Sequence, residues 1–242
     1  MIQKENPRYL PFRKVLAWGV HLFTATGALW GLLSLMAIFR HEWRAAIAWM
    51  ILAMFVDGFD GMLARWADVK TYAPGIDGAL LDNILDYINY VLVPALFLIE
   101  ADFILPAEFR MVGAFAILLT SAYQFTQSDA KTDDHYFKGF PSYWNVMVLY
   151  MLVMGLNPWV NLAFLTLFNI LVFVPVKYIY PSRNTVMKRL TTILTYLYGI
   201  IGVWAAMQYP DVPAWAVWAT LVYVVYYAAL SLWPKGRFRE NA

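Results

Sequence analysis

The chain contains no cysteine. That excludes disulfides, zinc–thiolate sites and thiol nucleophiles. Charge is scarce as well: Asp, Glu, Lys and Arg make up 14% of the 242 residues, against about a quarter in an average soluble domain. Hydrophobic residues reach 62% and aromatic residues 18%, a composition that suits a membrane rather than a water-soluble globule. A net charge of +2 points to no partner. Only three histidines are present, and they form no zinc-binding pattern. No internal repeat or low-complexity segment divides the chain, so one integral membrane domain over 1–242 is the simplest partition.

Apolar runs of about 20 residues suit the bilayer core. That rule gives eight candidate spans: 15–39, 44–66, 79–99, 109–126, 142–156, 159–177, 190–207 and 214–233. The expected fold class is therefore all-α, an integral membrane helix bundle of about eight transmembrane helices. Residues 1–14 are polar and basic, and the run after them is too long for a signal-peptide core. Tyr9, Leu10 and Phe12, with Arg8, Arg13 and Lys14, make that segment either a short interfacial element or a basic tail. Residues 234–242 are the opposite tail. With eight spans the termini share a side, and of the 18 Lys and Arg only Arg40, Arg44 and Arg110 fall on the other. The positive-inside rule then puts both ends in the cytoplasm. Trp43, Trp159, Trp215 and Trp218 would mark the outer interface, and Trp66, Trp144 and Trp233 the inner one.

The carboxylates the chain holds inside its candidate spans are concentrated in 57–86, DGFDGMLARWADVKTYAPGIDGALLDNILD. Asp57, Asp60, Asp82 and Asp86 sit there among apolar neighbours. A carboxylate near the centre of a membrane helix costs about 2.5–3.5 kcal/mol on insertion scales, so such groups are retained for a reason. Asp57 and Asp60 are spaced i,i+3, and Asp82 and Asp86 i,i+4, so each pair shares a helix face. At about 1.5 Å rise per residue, both pairs lie roughly 6–14 Å from the cytoplasmic ends of their spans. Facing helices would then offer an all-oxygen cluster suited to Mg2+ or Mn2+. Gly61, Ala64 and Gly78 keep the neighbouring surface small, and Arg65 supplies a cation for a phosphate or an outer carboxylate. Carboxylates buried merely as ion pairs are disfavoured, because only Arg65 is near enough in sequence to offset four negative charges. A divalent-cation transporter is the rival function class. Its path would need polar groups through the full bilayer depth, whereas Ala45–Val56 and Val91–Ile99 contain no ionisable residue.

The pattern D-x2-D-G-x2-A-R followed by G-x3-D-x3-D resembles the signature of the CDP-alcohol phosphotransferases. Here it reads Asp57, Asp60, Gly61, Ala64, Arg65, Gly78, Asp82 and Asp86, with no position missing. The long gap between Arg65 and Gly78, and the stretches DAKTDDHYFKGFPSYWN (129–145) and FVPVKYIYPSR (173–183), resemble the bacterial phosphatidylcholine synthase branch. The resemblance implies transfer of the phosphatidyl group of CDP-diacylglycerol to choline, releasing CMP, with two divalent ions. It implies Asp57, Asp60 and Asp82 as metal ligands, and Asp86 as general base that also touches a metal. Asp57, Gly61, Ala64, Arg65 and Gly78 would line the CDP site. It further implies a bacterial inner membrane location with the site facing the cytoplasm. A homodimer is common in that superfamily, though no residue pattern here speaks for one. Serine, inositol phosphate or glycerol phosphate are the alternative acceptors; anionic ones would call for more arginines near the pocket.

A quaternary ammonium donates no N–H hydrogen bond and is recognised by aromatic faces. Tyr87 and Tyr90 beside Asp86, Tyr123, Tyr143 and Trp144 are the choline candidates, with Phe125 close by. Most of the aromatic residues must nonetheless serve packing and the interfacial belt, and Trp144 reads equally as an interfacial anchor. Lys138 and Arg183 are candidates for the lipid phosphates, although positive-inside topology alone accounts for them. His21, Thr24 and Thr26 form a polar face on the first span. They would reach the cytidine edge or act as interhelical glue.

Overall fold

The computed structural model describes residues 10–127, 129, 136–179 and 187–232. The expectations for residues 1–9, Arg183, Trp233 and the 234–242 tail lie outside the described residues. Contacts divide the chain into two compact units, one through Val93 and one from Pro94 onward.

The first unit opens with a helical run of 30 residues, Leu10–Phe39. The sequence suggests one span beginning near residue 15; the helix instead starts at Leu10 and is broken at Thr26 into α1 (Leu10–Ala25) and α2 (Gly27–Phe39). Thr26 Oγ1 donates to the Phe23 carbonyl at 2.6 Å, the local bond by which threonine bends a membrane helix. A tight turn at Arg40–Glu42, with His41 in the left-handed region, returns the chain as α3 (Trp43–Trp66). Small and polar residues let α2 and α3 approach closely: Ser34 donates across to the Ala46 carbonyl at 3.1 Å, and Trp30 stacks on Trp49. After the short α4 (Val69–Tyr72), Asp77 caps α5 (Gly78–Tyr87) by accepting from the amides of Ala79 and Leu80, both at 3.0 Å. The helix then widens into a π turn, Ile88–Leu92, before continuing as α6 (Val93–Glu100).

The second unit holds α7 (Arg110–Thr126), α8 (Trp144–Met154), α9 (Pro158–Phe173), α10 (Lys188–Met207) and α11 (Ala214–Leu232). Phe97, Leu98, Ile104, Leu105, Ile117 and Trp144 form its buried core. Two three-residue strands interrupt the helical pattern: β1 (Tyr136–Lys138) pairs antiparallel with β2 (Lys177–Ile179), Phe137 opposite Tyr178. Gly139 ends β1 at φ +76°, where a side chain would run into the Val172 carbonyl. Thr191 and Thr195 on α10 bond the hydroxyls of Tyr226 and Tyr223 on α11, each at 2.8 Å.

Among the described residues, five helical runs are long and apolar enough to cross a membrane: Leu10–Phe39, Trp43–Trp66, Gly78–Glu100, Lys188–Met207 and Ala214–Leu232. Trp144–Met154 and Pro158–Phe173 are shorter apolar helices. The chain is a multi-pass, helical membrane protein. The expected span 142–156 is an 11-residue helix, about 16 Å at 1.5 Å per residue, against about 30 Å of hydrocarbon.

Candidate functional site

α3 and α5 bring the aspartates together inside the first unit. Asp57, Asp82 and Asp86 each offer a carboxylate oxygen within 4.8 Å of the other two, and all three side chains are half-buried. The expected i,i+4 pair of α5 thus meets the first aspartate of α3. Asp60 lines the same cavity but stands beside this trio: it is buried, it accepts a hydrogen bond from Thr24, and its field partners are Asp82 and Asp57. The accessible space between these groups is about 10 Å3, on the scale of one water or one ion. Hard oxygen donors at this separation, with no soft ligand among them, fit a Mg2+ or Mn2+ ion.

The neighbours of two of the small residues are protein side chains. A Cβ at Gly61 would lie 3.3 Å from the Arg65 guanidinium, so the glycine leaves room for that side chain one helical turn away. A Cβ at Gly78 would press on His21 at 3.2 Å. His21 is therefore packed against the α5 start, and its Nε2 is buried without a hydrogen-bond partner. Ala64 is half-buried, and the Arg65 side chain is exposed.

The aromatic candidates separate. Tyr90 donates its hydroxyl to Asp57 Oδ2 and lines the carboxylate cavity, a bond the sequence does not announce. Tyr87, half-buried, follows directly after Asp86. Tyr123 is exposed and tilted against Phe173 at 5.1 Å; Tyr143 meets Phe137 edge-on. Trp144 corrects the expectation twice. Its ring is fully enclosed by protein, with the indole N–H donating to Ser121 Oγ at 2.7 Å and Phe140 packed edge-on. It is neither an interfacial anchor nor an open face for a cation.

Lys138, expected to grip a phosphate, donates to Asp129 Oδ2 at 2.5 Å on the exposed β1 side. That hydrogen bond holds the Asp129 carboxyl below its ordinary range and the Lys138 ammonium above its own. Thr26 serves the helix break rather than the site. Sequence reasoning overlooked Asn89, whose buried amide donates to the carbonyls of Gly27 at 3.1 Å and Leu85 at 3.0 Å. Its signal was available: Asn89 follows Asp86 at i+3, a polar residue on the face Asp86 presents.

Comparison with known proteins agrees with this geometry. Residues 21–176 match the CDP-alcohol phosphatidyltransferase family. The chain is 45% identical over 237 residues to a phosphatidylcholine synthase of Legionella pneumophila, covering 94% of this chain and 93% of the relative. It is 38% identical over 221 residues to one of Borreliella burgdorferi, covering 90% and 92%. Over 234 residues it is 36% identical to one of Pseudomonas aeruginosa, covering 96% and 97%.

Proposed function

The chain belongs to the CDP-alcohol phosphatidyltransferase family, and from that premise we propose that it works as a phosphatidylcholine synthase, joining the phosphatidyl group of CDP-diacylglycerol to choline. The observation that carries the chemistry is the convergence of Asp57, Asp82 and Asp86 on one small cavity. Similarity to phosphatidylcholine synthases over nearly the whole chain carries the choice of alcohol. Because the family match runs from 21 to 176 and so spans both compact units, the chain is read as a single catalytic domain.

Asp57, Asp82 and Asp86 would hold a divalent ion, Mg2+ or Mn2+, with Asp60 as a further ligand; the resemblance to the family adds the second ion of a pair. Such ions, when bound, supply positive charge to the bridging phosphates and to departing CMP. Arg65, exposed beside Gly61, supplies a second source of positive charge for the donor's diphosphate. Gly61, Ala64 and Gly78 keep the α3 and α5 surfaces low enough for the nucleotide to approach. The choline hydroxyl attacks the phosphatidyl phosphorus; its O–P bond forms as the P–O bond to CMP breaks. Asp86 takes the hydroxyl proton. The Tyr87 and Tyr90 rings, next to that base, offer faces to the trimethylammonium, with Tyr123 and Tyr143 as further candidates. Lys138, a further candidate for the lipid phosphate, would meet it with its ammonium already bonded to Asp129.

Eight spans, cytoplasmic termini and a cytoplasm-facing site in a bacterial inner membrane complete the reading, supported by the distribution of Lys and Arg. The test incubates purified protein, CDP-diacylglycerol and Mn2+ with labelled choline, serine, inositol phosphate or glycerol 3-phosphate. Choline label is expected in lipid, with CMP released in equal amount and turnover abolished by chelator. Label from another alcohol would move the protein to another branch. Full turnover in excess chelator would remove the metal centre.

A further inference from the structure

The π turn that follows Asp86 stands out because regular helix would place Tyr90 elsewhere. At about 100° per residue, positions 82, 86 and 90 drift roughly 80° around an α-helix. A π turn is wider and recovers part of that drift, and such turns gather at functional sites. Here the Val93 amide reaches back five residues to the Ile88 carbonyl. Tyr90 then faces α3 and donates to Asp57 Oδ2.

Something must hold a loosened ladder in place, and Asn89 does. Its amide nitrogen takes the Leu85 carbonyl within its own helix and the Gly27 carbonyl on α2. α2 accommodates it with glycine at one-turn spacing: a Cβ at Gly31 would fall 2.7 Å from Asn89 Oδ1 and 2.9 Å from Ile88 Cγ2. Asn89 is 8% exposed, so both bonds are made away from solvent.

We propose that Tyr90 is a positioning residue for Asp57: set by the π turn and anchored through Asn89, its hydroxyl occupies one carboxylate oxygen of Asp57 and so orients the other toward the shared ion site. This rests on the metal-centre reading of the aspartates above. A ligating group is fixed by the hydrogen bond its other atom makes, and loss of such a partner typically weakens metal binding about 10–100-fold.

The test uses full-length protein in lipid nanodiscs, titrated with Mn2+ alone while unbound Mn2+ is followed by electron paramagnetic resonance. Tyr90→Phe keeps the ring and removes only the hydroxyl. It is expected to raise the Mn2+ dissociation constant at least about 10-fold without lowering the melting temperature. Tyr90→Ala, where it folds, should weaken Mn2+ no more than Tyr90→Phe. Wild-type Mn2+ affinity in Tyr90→Phe would overturn the proposal, as would damage confined to Tyr90→Ala, which would make the ring and not the hydroxyl the working part. Neither donor nor acceptor is present, so an error about choline leaves the result standing. Wild-type protein that bound no Mn2+ would remove the metal centre and this proposal together.

Discussion

At the scale of single residues, the site divides its acids by surroundings rather than by sequence order. Asp60 is buried and bonded by Thr24, whereas Asp86 joins Asp57 and Asp82 around the small cavity. In the proposed mechanism Asp86 has two separable roles, ligand and base. Asp86→Asn keeps an oxygen for an ion but accepts no proton. Turnover should therefore fall on the order of 10²–10⁴-fold, the usual worth of a general base, and the loss should persist at saturating Mn2+ with CDP-diacylglycerol still bound. Rescue of turnover by excess Mn2+ would show a ligand and not a base. Tyr87, next along the helix, tests choline recognition. Removing an aromatic face from a quaternary ammonium costs roughly 0.5–2 kcal/mol, so Tyr87→Ala should raise the choline KM while leaving that for CDP-diacylglycerol nearly unchanged. Tyr87→Phe, which keeps the face, should do less. Equal harm from Phe and Ala would make the hydroxyl the contact.

At the scale of elements, the ribbon β1–β2 is held by backbone geometry that tolerates little change. Gly139 has φ +76°, its amide donates to the Val176 carbonyl at 2.9 Å, and a Cβ there would collide with the Val172 carbonyl. Gly139→Ala therefore combines left-handed strain, on the order of 1–3 kcal/mol, with a clash against backbone that cannot rotate away. Gly199 in α10 meets nothing within 4 Å, so Gly199→Ala should be neutral or stabilising by up to about 1 kcal/mol. Melting temperatures of the two variants in detergent should move in opposite directions, or Gly139 alone should fall; equal melting would mean the ribbon backbone can shift. Elements like this ribbon are where sequence reading stops. The i,i+3 and i,i+4 aspartates were legible because helical spacing dictates which side chains share a face. The break at Thr26, the π turn at Ile88–Leu92 and the enclosure of Trp144 were not, since each depends on a bond to a residue that apolar periodicity does not identify. Asp77 is the middle case: sequence reasoning passed over it, although an aspartate just ahead of a helix is a common cap, and here it accepts from the Ala79 and Leu80 amides.

At the scale of the whole molecule, hydropathy finds apolar segments more surely than it finds crossings. The eight apolar runs all contain helix, yet the helix at Trp144–Met154 is too short to cross unaided, and among the described residues five runs meet the length and hydropathy of a span. The proposed orientation rests on different physics, the bias of Lys and Arg to the cytoplasmic side, with 15 of the 18 on one face of the proposed eight-span arrangement. The absence of cysteine makes that arrangement open to direct measurement, because any thiol label reports an introduced residue alone. Gly75 is exposed in the loop between α4 and α5, on the aspartate side, and Asp102 is exposed between α6 and α7, at the other end of the helical run Gly78–Glu100. A membrane-impermeant maleimide added to intact cells should label Asp102→Cys and spare Gly75→Cys; in inside-out vesicles the pattern should reverse. Labelling of Gly75→Cys from outside the cell would turn the carboxylate site away from the cytoplasm. It would then be cut off from cytoplasmic choline, and the proposed reaction would fail on topology before any question of chemistry arose.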